Sequence, residues 1–162
     1  MSLKLKKPLT FFDIEATVTH ISHDRIIEIA VIKQMPQGTR ETWHKRINPG
    51  IPIPLEASLI HGIYDKDVKE APPFKAIAKE LAKFLQGCDL SGFNILRFDI
   101  PMLVESFTRA NVDFSLENRQ IVDTQRIFHL MEKRNLTAAY RFYCQQELEG
   151  AHSAMADTQA AI

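Results

Sequence analysis

"TFFDIEAT" (residues 10–17) reads as a β-strand because aromatic and β-branched residues dominate it, yet it carries two carboxylates, Asp13 and Glu15. Strand side chains alternate, so both acids project to one face, with Cα atoms roughly 6.6 Å apart at a rise of about 3.3 Å per residue. Two such charges at about 4 Å repel by about 4 kcal/mol at an effective dielectric of about 20. A covered sheet accommodates them by protonation or with a cation, and oxygen-only ligands favour a hard cation, Mg²⁺ or Mn²⁺. An isolated D-x-E also has a plainer reading, on the watered face of a strand, so the surrounding sequence has to decide.

Working outward, "RIIEIAVIKQ" (25–34) is a second strand whose near-continuous Ile and Val content predicts a sheet covered on both faces. "MPQG" (35–38) turns the chain into "TRETWHKRI" (39–47), a more exposed third strand on which Trp43 and His44 read as structural. Three strands joined by short turns form an antiparallel meander. After the stiff connection "NPGIPIP" (48–54), the period changes. In "PPFKAIAKELAKFLQG" (72–87), Phe74, Ile77, Ala78, Leu81, Phe84 and Leu85 fall on one helical stripe between prolines and Gly87. "CDLSGFN" (88–94) reads as a short strand leading into the helix "DIPMLVESFTRAN" (99–111), and "RQIVDT" (119–124) as a fifth strand feeding helices near 124–132 and 136–147. The order predicts an α/β fold with a five-stranded mixed sheet.

The length suits a single domain over residues 1–162, and the hydrophobic share of 45% is that of a globular chain. Twenty Lys plus Arg balance twenty Asp plus Glu, which argues against broad, nonspecific phosphate binding; a nucleic acid partner requires something local, such as bound cations, to reverse the sign. Cys88 and Cys144 form no CxxC pattern, so neither a disulfide framework nor a zinc site is expected. No apolar run approaches the roughly 20 residues of a membrane helix, and the opening "MSLKLKKPLTFF" lacks the features of a signal peptide. A cytoplasmic protein with no membrane partner is the expectation.

Two further stretches carry acids. Asp99 follows a predicted strand at the opening of a helix, where by itself it serves as an N-terminal helix acid worth a few tenths to about 1 kcal/mol. In "AHSAMADTQAAI" (151–162), Ser153 can cap a helix whose first turn carries Asp157, and His152 lies just ahead. Four carboxylates at strand ends and helix starts can bind two metal ions about 3.5 to 4 Å apart, an arrangement suited to phosphodiester cleavage. A histidine beside them, with an unperturbed pKa of about 6.5, suits a base that takes a proton from water.

"FFDIEAT", "FNILRFD" and "HSAMAD", in that order, resemble the three motifs of the DEDDh, or DnaQ-like, 3′-to-5′ exonuclease family, which includes the proofreading epsilon subunit of bacterial DNA polymerase III. "RIIEIAVIK", "NPGIPIPLEASLIHGIYDKDV", "APPF" and "IVDTQRIF" are similar to its connecting segments, so the likeness spans residues 8–162. The resemblance implies a ribonuclease-H-like fold with helices on both faces of the sheet. It implies Asp13, Glu15, Asp99 and Asp157 as ligands of two Mg²⁺ or Mn²⁺ ions, with His152 as general base. It also implies hydrolysis of the 3′-terminal phosphodiester of single-stranded or frayed DNA, releasing nucleoside 5′-monophosphates. The backbone around Ala16 and Thr17 would meet the terminal 3′-hydroxyl, and Ile60, His61 and Phe98 would line the last base.

An aromatic at 98 offers a stacking face that any base can use, although core packing suits it equally; a loop hydrogen bond suits His61 as well as a substrate contact does. An exoribonuclease and a noncatalytic accessory module for a DNA polymerase are the alternative functions. Three positions depart from the family pattern. Ala16 and Val18 flank Thr17 where the family has Thr-Thr-Gly, and Phe93 stands where a His usually precedes Asn94; the spacing differs too, with four residues rather than three between Asn94 and Asp99. Residue 162 falls inside the helix that Asp157 begins, which reads as a domain trimmed within its last helix.

Overall fold

The computed structural model describes residues 4–17, 23–132, 135–149 and 153–160, with only the backbone of Ala154 and Asp157. His152 lies outside the described residues. The chain divides into two compact units, residues 1–124 and 125–162.

In the first unit, β1 (Leu9–Ala16), β2 (Ile26–Gln34) and β3 (Arg40–Arg46) form the expected antiparallel meander. β4 (Asp89–Gly92) runs parallel to β1, and β5 (Ile121–Asp123) parallel to β4, which completes a mixed sheet of order β3-β2-β1-β4-β5. Between strands lie α1 (Leu55–His61), α2 (Asp65–Val68), α3 (Phe74–Phe84) and α4 (Asp99–Ala110). The apolar stripe of α3 buries Ile77, Ala78 and Leu81, with Leu85 just beyond, and α4 contributes Met102, Leu103 and Phe107; together they cover Phe12, Ile14, Ile29 and Val31 on one sheet face. Trp43 joins this core from β3, and its indole N–H donates to Glu80 Oε1 at 2.6 Å, so its polar edge is satisfied where its rings are buried.

A β-bulge interrupts the end of the first hairpin. Glu15 pairs with Glu28 but Ala16 with Ile26, leaving Ile27 as the extra residue on β2. The phase of β2 therefore flips, and Ile26 enters the main core beside Ile29 while Ile27 enters a second cluster with Ile53, Ala57, Ile63 and Val68. The sheet thus carries helices on both faces, as expected, α3 and α4 on one and α1 and α2 on the other. The second face is sealed at Ile27, under α1 and α2, but Phe11 and Ile32 on β1 and β2 remain 38% and 43% exposed. The Ile and Val run of β2 reflects the bulge as well as burial.

Neither α1 nor α2 is legible as a helix in the sequence. α1 turns Leu55, Leu59 and Ile60 outward and buries only Ala57 and Ser58, so it lacks an inward apolar stripe. Gly62, at φ 74, ends it in the left-handed conformation with its N–H on Ser58 O.

Gly92 closes β4 where the chain passes hard against β1. A Cβ there would stand 2.6 Å from the carbonyl oxygen of Phe12 and closer still to Ile95 Cγ2. The backbone oxygen cannot yield without displacing the central strand. Gly92→Ala is therefore expected to lower unfolding free energy by about 3 kcal/mol, read from the midpoint of a urea transition; an unchanged midpoint would show that β4 can shift freely along β1.

In the second unit, α5 (Thr124–Met131) begins at the boundary, followed by α6 (Leu136–Cys144) and α7 (Ala154–Ala160). α6 is capped by Asn135, whose side chain accepts from Ala138 N–H, and stops short of the expected residue 147 because Gln145 turns left-handed at φ 54. Among the described residues, no helix is long and apolar enough to cross a membrane.

Candidate active site

β1 alternates as its sequence predicts: Phe12, Ile14 and Ala16 are buried, while Asp13 is exposed and Glu15 half-buried on the opposite face. β4 pairs with β1 only over Leu9–Phe11, so β1 loses that neighbour just before its acids. There the N–H of Ile14 donates to Asp99 Oδ1 at 3.0 Å, which fixes the first residue of α4 against the central strand. Asp13, Glu15 and Asp99 thus line one pocket of about 630 Å³, together with Phe93, Asn94, Arg97 and Phe98.

The acids perturb one another. Burial first, then the Asp13 charge, lifts the Asp99 carboxyl from its ordinary value to about 6, with Glu15 adding a smaller push against the opposing Ile14 hydrogen bond. Glu15 is raised as well, first by burial, then by Asp13 and by Glu28, its direct cross-strand partner. Glu28 in turn holds His44 Nε2 at 3.0 Å and Arg46 Nε at 3.3 Å, which gives His44 a structural place beside the site. Among the described residues, no three acidic, histidine or cysteine side chains already form a closed metal cage. The fit to a cation rests on the donor set: three carboxylates sharing one pocket, two of them held above their ordinary pKa, are the electrostatic situation that a hard cation relieves. The backbone of Asp157 lies in α7, in the second unit.

A second pocket, of about 340 Å³, shares Ile14, Glu15 and Phe98 with the first and is otherwise lined by residues that include Ala16, Ile60 and His61. Phe98 packs against the core and also lines both pockets. His61 likewise combines a loop hydrogen bond with a place in the apolar pocket. Its Nδ1 accepts the N–H of Ile63 at 3.1 Å, which assigns the proton of the neutral ring to Nε2, and that nitrogen is buried without a hydrogen-bond partner among the described residues. Burial, partly offset by the Glu28 charge, lowers the ring's pKa and favours this neutral form. Ile60, 86% exposed, forms an apolar rim. Thr17 closes the first hairpin. Its N–H bonds Arg25 O at 3.0 Å, its hydroxyl bonds Asp24 at 3.2 Å, and it lines neither pocket.

Two residues here escape sequence reading. Arg97 brings to the acid pocket an exposed guanidinium that makes no ion pair among the described residues; the lone cation in "FNILRFD" was the available signal. Asp123, at the end of β5, accepts the backbone N–H groups of Asn94 at 2.9 Å and Leu96 at 3.3 Å, and so fixes the loop that delivers Phe98 and Asp99. Asn94 itself sits at φ 60.

The sheet order β3-β2-β1-β4-β5, with acids from its central strand meeting an acid at a helix start, is that of a ribonuclease-H-like fold. The family model described as Exonuclease (RNase_T) matches residues 10–162, and the chain belongs to that family. It is 24% identical over 118 residues to the 3′-5′ exonuclease DinG of Staphylococcus epidermidis, covering 73% of this chain and 13% of that protein. Its fold is similar to E. coli Exonuclease I in complex with a dT13 oligonucleotide (TM-score 0.70, 20% identity, 96% of this chain and 39% of the other). The zinc-bound form of the E. coli ExoI–ssDNA complex is similar too (TM-score 0.67, 20% identity, the same coverage). The chain spans about an eighth of DinG and two fifths of Exonuclease I.

Proposed function

We propose that this chain is a divalent-metal-dependent 3′-to-5′ exonuclease acting on single-stranded or frayed DNA ends and releasing nucleoside 5′-monophosphates. The observation that carries the reading is the adjacency of the acid pocket to the apolar pocket, with Glu15 and Phe98 in the walls of both. One holds charge and the other a flat, uncharged body, as a terminal nucleotide requires. Family membership over residues 10–162 supports extending the site to His152 and Asp157, and supports one exonuclease domain comprising both units.

In this reading Asp13, Glu15, Asp99 and Asp157 hold two Mg²⁺ or Mn²⁺ ions, which when bound supply charge neutralisation and an acidified water. His152 takes the proton from the attacking water. Phe98 and Ile60 grip the terminal base without regard to its identity, His61 Nε2–H offers one donor to it, and the backbone at Ala16 meets the 3′ end. Arg97 neutralises a phosphate at the mouth, giving a neutral chain a local cationic contact. A DNA substrate is favoured by the oligonucleotide bound to the similar E. coli Exonuclease I. A cytoplasmic location and a DNA polymerase partner belong to the same proposal.

End-labelled DNA and RNA oligonucleotides test it. With Mg²⁺ or Mn²⁺, DNA should shorten stepwise from its 3′ end, and Asp13→Ala and His152→Ala should each slow this by about 10³-fold or more. Faster shortening of RNA would replace the DNA reading with an exoribonuclease. Failure to shorten either would favour a noncatalytic accessory module.

A further inference from the structure

A third cavity, of about 400 Å³, shares no lining residue with either pocket of the candidate site. It lies between the start of β2, the turn after β3, the first turn of α3 and the last turns of α4. Its apolar wall includes Ile26, Ile47 and Phe74, and its charged lining residues are all cations: Arg25, Lys75 and Arg109. Arg109 is occupied, with Glu105 on its Nε at 2.9 Å and Asp24 O on its terminal nitrogen at 2.7 Å. Lys75 has no ion pair or hydrogen bond among the described residues, and Arg25 uses one terminal nitrogen, on His23 O and Asp24 O. α3 begins here with no side-chain cap and no acid in its first turn, so its positive end is uncompensated.

Ser106 adds an independent polar group to the cavity. It lies on α4, 6% exposed, in the wall of this cavity, and its hydroxyl makes no hydrogen bond among the described residues. Thr108, two positions on, bonds back to Val104 O as helical hydroxyls commonly do. The hydroxyl of a buried residue, open to the cavity beside cations and an apolar wall, suits an anion carried on an apolar, ring-sized body.

We propose that this cavity is a second, noncatalytic site for one nucleoside 5′-monophosphate, its phosphate held by Ser106, Lys75 and Arg25 and its base laid against Ile47 and Phe74. A dianionic phosphate matches Lys75, the remaining donors of Arg25 and a hydroxyl better than a carboxylate does, and the volume suits one nucleotide rather than a strand. The choice of nucleotide rests on the proposed exonuclease reaction, which releases this product.

Calorimetric titration of the full chain with thymidine 5′-monophosphate in EDTA tests the site without turnover. One binding event is expected. Lys75→Glu and Ser106→Ala should each weaken it by about tenfold or more, and Lys75→Glu should leave oligonucleotide shortening unchanged. Thymidine and inorganic phosphate, each with half of the recognised chemistry, should bind about tenfold more weakly. Absence of binding, equal affinity in both variants, or tighter binding of 3-phenylpropionate than of the nucleotide would overturn the proposal. If oligonucleotides shorten but the nucleotide does not bind, this site alone fails. If the nucleotide binds in a Lys75-dependent way but no oligonucleotide shortens, the exonuclease reading fails and the site stands.

Discussion

Asp99→Asn is expected to lower exonuclease activity by about 10³-fold or more and, in the same preparation, to stabilise the metal-free protein at pH 8. Both effects have one cause. Asp99 is 4% exposed and shares a pocket with Asp13 and Glu15, so its ionised form is costly until a cation arrives. Its carboxyl titrates at about 6 rather than 3.8, so the folded chain binds that proton more tightly than the unfolded chain does. The resulting stability is fully present below about pH 4 and is lost as pH rises through about 6, a decline of roughly 3 kcal/mol. Asparagine keeps an oxygen to accept the Ile14 N–H and removes the charge. In EDTA, melting curves of the two proteins should meet near pH 4 and separate by about 5 °C or more at pH 8. Mg²⁺ should then raise the wild type toward the variant by mass action. Parallel pH profiles would refute the account of crowded carboxylates.

The contrast between Asp99 and its surroundings explains how far the sequence could be read. Asp13 and Glu15 were legible because a strand's period of two is local, and α3 because its stripe faces the core. α1 was not, since Leu59 and Ile60 face outward at 70% and 86% exposure; Ile60 shapes a pocket rim, and a rim has no period. The bulge at Ile27 was hidden because it depends on pairing two strands, and a run of Ile and Val looks the same whether its residues share one face or are divided between two cores. The hydrogen bonds of Thr17 were hidden for a related reason: its groups answer to Arg25 and Asp24 across a hairpin. Motif likeness supplied Asp157 and His152, for which no local pattern stronger than a helix cap exists.

Asp123 is the clearest case of a nonlocal role, and its removal should have the second large effect. In sequence it is the last residue of a short strand; in the fold its carboxylate accepts two backbone N–H groups that lie 29 and 27 residues earlier. Those bonds hold a loop that leads through Arg97 to Phe98 and Asp99, so the carboxylate acts on the site through backbone position rather than contact with substrate. Asp123→Ala should cost about 3 kcal/mol, since hydrogen bonds to a charged group contribute about 1.5 to 3 kcal/mol each and the freed N–H groups are then solvated only in part. A displacement of about 1 Å at Asp99 should further lower kcat by about 10²-fold, even at about 15 °C where the variant remains folded. Asp123→Asn keeps one acceptor but turns an amide donor toward the other N–H, so it should fall between wild type and alanine in both stability and kcat. The two readouts separate a positioning role from a merely structural one. A variant that melts early but retains full kcat in the cold would mean that the Ile14 N–H alone suffices to hold Asp99 at the acid pocket.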